Sequence, residues 1–520
     1  MPLALPSDDP QPLNAGLWRT DAFHRQPLFA VEPAPGGAGV ARVVRSWNEA
    51  HALHGPARPA DVNPAYVAAL ISDTTSATVA PYRRIRRLPR AQHVRIAADG
   101  GFHTSPYDPL AGGAAAMEAD LLHLFLRQGL LDHVRQALEG HAGPIGCEHS
   151  SGLDSNAVLG ALLHGAGLPP ERLHTWSFEA RGERQPLEQI RPFFRLLPHQ
   201  CHRSHLQDQW LEEGDAPLAQ QLRVFGAPAQ IGGNPDAVAV LGSQGCTLLF
   251  SGFGGDQALS HNANNVPTDL VAMGRWPQLV AWMGGHRAAL RVAGGRALAL
   301  IHRPWAERRV RRRGRLFRAS DLLTRTLTDQ GLAWLGPHLK ASYPWEIDGY
   351  LRQAASIRQR VLADWVAVRA EEETRLASAH GVVKVFPLLD ERLIATLLRQ
   401  DPLLFGEGPG RGRLLHRRAF EPFLPPLLRD NPSKDRALEG GQQPWQADLL
   451  QRQRQQLAHS LEASDSWPSA LERWWNLAAI RQEAEILLHR AESGLAEVRG
   501  ANRALGTMAR LSGWWQALAD

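Results

Sequence analysis

Between about residues 115 and 257 the sequence alternates between two kinds of pattern. "AAAMEADLLHLFLRQGLLDHVRQALEG" repeats apolar residues at three and four positions, the period of a helix. "GPIGCEHS" then reads as a short buried strand, followed by a polar loop and the helical run "SNAVLGALLHGAG". "RLHTWSFEA" is a second strand, "NPDAVAVLGSQG" a helix, and "CTLLFSGFGGDQ" a third strand that runs into glycines. Strands alternating with helices predict a parallel sheet covered on both faces. Ligands of such sheets bind outside the carboxyl ends of the strands. Both polar loops, "HSSGLDS" and "SGFGGDQ", fall at that place.

The flanking regions differ in character. Residues 1–112 are rich in Pro, Gly and Ala, with short apolar runs joined by turns, and read as a smaller strand-rich domain. "NPAYVAALIS" within it reads as a helix capped by Asn63. "DPLAGG", residues 108–113, marks the boundary with a second domain over 113–520. That domain carries a helical insertion at about 260–370 and a tryptophan-bearing helical tail at about 440–520, whose tryptophans are expected to pack helices together.

Composition narrows the class. With 44% hydrophobic and 21% charged residues, the chain is globular rather than disordered. It has no run of 18 apolar residues, so no membrane span is expected. The N-terminus lacks the pattern of a secretory signal, which points to the cytoplasm. Three cysteines, Cys147, Cys201 and Cys246, are too few and too scattered for a disulfide framework or a CxxC metal site. The basic run "ERRVRRRGRLFR" (307–318) carries a single aromatic, Phe317, and no zinc spacing, so no nucleic-acid partner is expected. Only three residues are lysines: Lys340, Lys384 and Lys434.

The first loop has the chemistry of a phosphate site. A loop between strand and helix offers free N–H groups and the positive end of a helix dipole. Ser150, Ser151 and Ser155 add hydroxyls, and Gly152 and Leu153 complete the turn. The Gly-Lys-Ser/Thr ending of the common nucleotide loop is absent. Asp154 would repel a phosphate unless a cation neutralised both, and Mg²⁺ accepts few carboxylates together with phosphate oxygens.

"SSGLDS" resembles the Ser-Gly-Gly-x-Asp-Ser pyrophosphate loop of the ATP-pyrophosphatase enzymes, with Ser151 where glycine is usual. "SGFGGDQ" resembles the Ser-Gly-x-Gly-Ser/Gly-Asp element of asparagine synthetases and their relatives, and Asp256 follows Asp154 by 102 positions, a separation typical of them. "GVVKVFPLLDERLIATLL" is similar to the Pro-x-x-Asp segment of those enzymes. "GRLLHRRAFEPFLP" is similar to their Lys-x-x-Leu-Arg-x-Ala segment, with Arg413 in place of lysine and Arg417 matching. "RDNPSKD" ends near Lys434, at their reactive lysine.

The resemblance implies an α/β fold: an adenine nucleotide alpha hydrolase-like synthetase domain, its parallel sheet flanked by helices, behind a degenerate glutaminase-like, Ntn-type α+β domain. It implies ATP and Mg²⁺ as cofactors. Asp154 and Asp256 would hold the metal; Ser150–Ser155, Gly252, Phe253, Gly254 and Gly255 would hold the nucleotide, with Ser177 against the adenosine. Lys434 would stabilise the oxyanion.

Pro2 follows Met1, where glutamine-using relatives carry a cysteine, so the attacking amine is expected to come from the substrate. Two branches work this way. The β-lactam and carbapenam synthetases use a tyrosine base where this chain has Phe253. The lasso-peptide cyclases activate an Asp or Glu side chain of a precursor peptide, and its freed α-amine then closes a macrolactam. Phe253 and the basic helical insertion favour the second branch. Its partners would be the precursor, a leader peptidase and a leader-recognition protein. Glu371, or its neighbour Glu372, would accept the amine's proton or hold the substrate, although acidic runs on helices are commonly solvated. A relative that binds a peptide without catalysis is the remaining alternative.

Overall fold

Short β-rich runs separated by turn residues build the N-terminal region. β1 (Gly16–Arg19), β5 (Gln92–Ile96) and β6 (Phe102–Pro106) form one antiparallel sheet in the order β1-β5-β6. β2 (Phe29–Val31), β3 (Arg42–Val44) and β4 (Ile85–Arg87) form a second, in the order β3-β2-β4. A helix over Pro64–Ile71 begins at Asn63, whose side chain accepts from the Ala65 N–H as the sequence predicts. The computed structural model describes residues 16–23, 25–34, 40–72, 74–99, 101–179, 184–205, 218–297, 321–339, 351–431, 442–490 and 493–519. Lys340, Lys434 and the arginine run at 307–318 lie outside them.

The second region is built on β7 (Ile145–Glu148), β8 (Leu173–Glu179), β9 (Cys201–His205), β10 (Leu248–Phe250) and β11 (Val383–Val385). All pair in parallel, in the order β11-β10-β7-β8-β9. Ile145, Cys147, Leu249 and Phe250 are fully buried, as strands covered on both faces require. The chain lays β8 and β9 on one side of β7, then crosses back to place β10 and β11 on the other. The crevice between β7 and β10 is therefore the switch point of the sheet, where α/β folds bind ligands.

The boundary segment is pinned. A Cβ on Gly113 would lie 2.1 Å from the Ala395 carbonyl oxygen. Ala114 N–H donates to Thr396 Oγ1 at 3.2 Å. Where an insertion was expected at about 260–370, the described residues are helical over Val266–Ala272, Trp276–Met283, Asp321–Arg325, Asp329–Leu335 and Gln353–Val361.

The tail does more than pack upon itself. Trp475 and Trp514 share one buried core with Phe29, Trp47, Tyr66 and Tyr82 of the N-terminal region. The Trp514 ring lies 6.1 Å from both Tyr66 and Tyr82. The helices Gln442–Ala463, Leu477–His489 and Leu495–Ala519 thus cover the N-terminal region as part of its core. Among the described residues no helix is long and apolar enough to cross a membrane. The three cysteines are free, as expected from their scatter.

Candidate active site

The first loop follows β7 and is laced by its own side chains. Ser150 N–H donates to Ser155 Oγ at 3.1 Å, and the two hydroxyls lie 2.9 Å apart. Asn156 Nδ2 donates to the carbonyls of Ser150 and Gly152 at 2.8 and 2.7 Å. Gly152 N–H donates to Ser150 Oγ. The loop is thus fixed before any ligand arrives. The helix Leu153–Gly160 opens from Gly152 without a side-chain cap, so its N-terminal amides keep their positive field. Ser151 belongs to the bend before that helix and is half-buried.

The second loop follows β10, the neighbour of β7, and lies directly on that helix. A Cβ on Gly252 would sit 2.6 Å from the Ser155 amide nitrogen. A Cβ on Gly255 would sit 2.1 Å from Asp154 Oδ1. Gly254 has φ +103°, and a Cβ there would strike Leu389 at 2.5 Å. Gly252 and Gly255 are needed for the close approach of the two loops, and Gly254 for the loop's left-handed turn against Leu389.

That approach brings the two predicted aspartates together. Ser260 Oγ donates to Asp154 Oδ2 at 3.0 Å and lies 3.4 Å from Asp256 Oδ1. An arginine and a histidine complete the group. Arg413 Nη2 donates to Asp256 Oδ1 at 3.1 Å, and His416 Nε2 is 3.1 Å from Asp154 Oδ1. Arg413 takes a left-handed backbone, φ 64°, uncommon for a side-chain-bearing residue. Its Nε bond to the Ser260 carbonyl, at 3.0 Å, holds it there.

The residues suit a magnesium nucleotide. Asp154 Oδ1 is buried without a hydrogen-bond partner of good geometry among the described residues. Among the described residues no three His, Cys, Asp or Glu gather into an all-protein metal site. Two carboxylates with the rest of the shell left to phosphate and water is how Mg²⁺ is usually held. On β8, Ser177 is buried and its Oγ has no hydrogen-bond partner among the described residues, which leaves a polar atom for a ligand.

Three consecutive glutamates, 371 to 373, lie on the helix Asp364–Ala379, and all are buried. This corrects the expectation of a solvated acidic run. Successive helix positions point about 100° apart, and each carboxylate meets a different partner. Glu371 pairs with Arg87 of β4 at 3.0 Å and with Arg375 at 3.1 Å. Glu372 accepts the N–H groups of Gln230, Ile231 and Gly232, each at 2.9 Å. Burial raises its carboxyl while those three bonds pull it down. Glu371 is committed to joining the N-terminal region to the synthetase region, and Glu372 to holding the 230–232 backbone, so neither is open to a substrate amine.

Glu373 instead turns toward the second loop. It accepts from Arg369 Nε at 2.7 Å and pairs with Lys384 Nζ at 3.0 Å. Lys384, on β11, also pairs with Glu148 at the end of β7. Burial alone would raise the Glu373 carboxyl, but Lys384 and Arg369 outweigh it and hold it well below the usual range. Phe253 lies beside this chain of charges. Its ring meets Trp365 at 5.8 Å and Phe386 at 5.9 Å, and the Arg369 guanidinium carbon sits 4.4 Å over its centre.

Sequence reasoning missed Ser260, His416, Arg369 and Glu373. One signal was present: His416 stands where the Lys-x-x-Leu-Arg-x-Ala pattern has leucine. Lys434 falls outside the described residues.

The model of the asparagine synthase family matches residues 126–514. No curated protein matches the chain. The family match takes in both loops, both aspartates and the segment bearing Arg413 and His416. The chain belongs to the asparagine synthase family, whose members use ATP to form amide bonds.

Proposed function

We propose that this protein is a lasso-peptide cyclase. It would join an Asp or Glu side chain of a leader-cleaved precursor to the peptide's own amino terminus, releasing AMP and pyrophosphate. Bound at the switch point, Mg·ATP supplies the leaving group that turns a carboxylate into an acyl donor. Asp154 and Asp256 hold the metal, while Ser150, Ser151 and Ser155 and the amides opening the Leu153–Gly160 helix hold the phosphates. Gly252, Gly254 and Gly255 let the second loop close on them. Ser177 offers its hydroxyl to the adenosine. Lys434 is assigned to the developing oxyanion. Proton transfer is not assigned to Glu371, whose carboxylate is taken up by Arg87 and Arg375.

Phe253 carries the choice of branch. A phenyl ring cannot serve as a base, and here it forms an apolar wall with Trp365 and Phe386 beside the paired aspartates. Such a wall suits a folded peptide whose amine is brought to the carboxylate by shape, so that ring closure is a well-oriented intramolecular step. The precursor, a leader peptidase and a leader-recognition protein are the partners this reading calls for, in the cytoplasm. The N-terminal region, with its two small antiparallel sheets, is read as a degenerate glutaminase domain retained for docking.

The test supplies the protein with Mg·ATP and leader-free peptides that carry one internal Asp or Glu and a free amino terminus. Pyrophosphate release accompanied by loss of one water from a peptide supports the reading, and Asp154→Ala abolishes both. Release driven only by a small β-amino acid, with a β-lactam as product, would overturn it.

A further inference from the structure

A line of alternating charges runs from the sheet to the site wall: Glu148, Lys384, Glu373, Arg369. Its inner members are sealed, with the Lys384 and Glu373 side chains 1% and 2% exposed. Its outer member is open, with 35% of the Arg369 side chain exposed. Buried charges are costly, and a pair with no further purpose could be replaced by apolar residues of similar volume. This line instead ends on a guanidinium whose direction is fixed.

Two contacts set that direction. Nε donates to Glu373, which anchors the inner edge of the fork. The guanidinium carbon sits 4.4 Å over the centre of the Phe253 ring. That Nε bond is the single hydrogen bond Arg369 makes among the described residues. The terminal edge, with its remaining N–H donors, is left for a ligand. A guanidinium edge matches a carboxylate through two parallel hydrogen bonds, a match that an ammonium lacks.

Its place is set by Phe253. Two positions on, Gly255 comes against Asp154, and the next residue is Asp256. Arg369 therefore overlooks the same crevice as the metal aspartates, from the wall rather than from the nucleotide loop.

We propose that Arg369 is the receptor for the substrate carboxylate that is to be activated, and that the Glu148–Lys384–Glu373 chain is its positioning support. This rests on the ligase reading above, and it holds whether the acid belongs to a peptide or to a small molecule. The guanidinium offsets repulsion between the incoming carboxylate and the paired aspartates, and orients it before bond formation. The Phe253 ring excludes water from one side of the pair, which strengthens it. Phe253 is then a platform for the arginine in the place where related enzymes put a base.

The test is ATP–pyrophosphate exchange with the full-length protein. The probes are leader-free peptides bearing one Asp or Glu and, separately, free aspartate, glutamate and a β-amino acid. For the acid that drives exchange, Arg369→Gln should raise KM tenfold or more while KM for Mg·ATP stays within twofold. Arg369→Lys should recover part of the loss, because it restores charge without the fork. Phe253→Leu, which removes the platform and leaves the arginine, should show a smaller rise. Thermal unfolding of each variant near that of the parent establishes that the fold is intact; Glu373 keeps its Lys384 partner in all of them. An acid KM within twofold in Arg369→Gln, or an equal rise in both KM values, would overturn the proposal. Which probe drives exchange decides the peptide reading separately. A small acid alone would defeat that reading while still testing Arg369.

Discussion

The hydroxyl of Ser260 lies within hydrogen-bond range of both Asp154, at 3.0 Å, and Asp256, at 3.4 Å. One small side chain thus ties together two carboxylates that arrive from adjacent strands of the sheet. Outer partners of metal-binding carboxylates typically account for 10–100-fold in affinity or activity. Ser260→Ala should lower the rate of pyrophosphate release by about tenfold and raise the Mg²⁺ concentration needed for half-maximal activity. Steady-state assays across a magnesium titration check this; an unchanged magnesium requirement would contradict it.

Gly255 makes a sharper demand. A methyl group there would meet Asp154 Oδ1 at 2.1 Å, so the loop or the carboxylate must move. A displacement of about 1 Å can cost about a hundredfold in rate. Gly255→Ala should therefore lose about two orders of magnitude in ATP-dependent turnover. Circular dichroism should show an intact fold, because the change leaves the buried strands untouched.

Glu371 and Arg87 join the two regions through a buried ion pair, their side chains 0% and 1% exposed. Removing one member of such a pair strands the other and typically costs about 3–5 kcal/mol. Glu371→Gln should lower the midpoint of urea unfolding by a corresponding amount. KM for Mg·ATP in the surviving folded protein should not change, because the pair lies at the junction. A large rise in that KM at unaltered stability would return Glu371 to the reaction.

His149, at the entrance to the first loop, responds to pH. Burial pushes its imidazole down to about 4, against the opposing pull of its Asn156 contact. The folded value lies below the unfolded one, so folding disfavours the proton. Stability is full above about pH 6.5 and is lost as pH falls toward 4, by about 3 kcal/mol for this group. Urea unfolding of the parent and His149→Gln at pH 7 and pH 4.5 should show the smaller acid loss in the variant. Equal losses would contradict this.

Much of the synthetase region was legible in the chain. β7, β8 and β10 stood out because buried strands are apolar and each ran into polar or glycine-rich residues. β11 did not, since three residues around Lys384 show no period, and "CHRSH" of β9 is too polar to read as a strand. The paired aspartates could be inferred from their loops. Their companions could not: Ser260 and His416 reach them only through tertiary contact. The glutamate run misled for the same reason, since helix position says nothing of which neighbour each face meets. The tail's partner could not be read because its tryptophans are buried against aromatic residues some four hundred positions away, as Trp514 against Tyr82 shows.

The account rests on Asp154 and Asp256 serving one magnesium-bound nucleotide. A double-mutant cycle in Mg·ATP affinity, with Asp154→Asn, Asp256→Asn and the pair, measures this by titration calorimetry. If both carboxylates hold one ion, the double variant should lose little more than either single one, a coupling of about 1 kcal/mol or more. Strictly additive losses would mean two independent sites and would contradict the account.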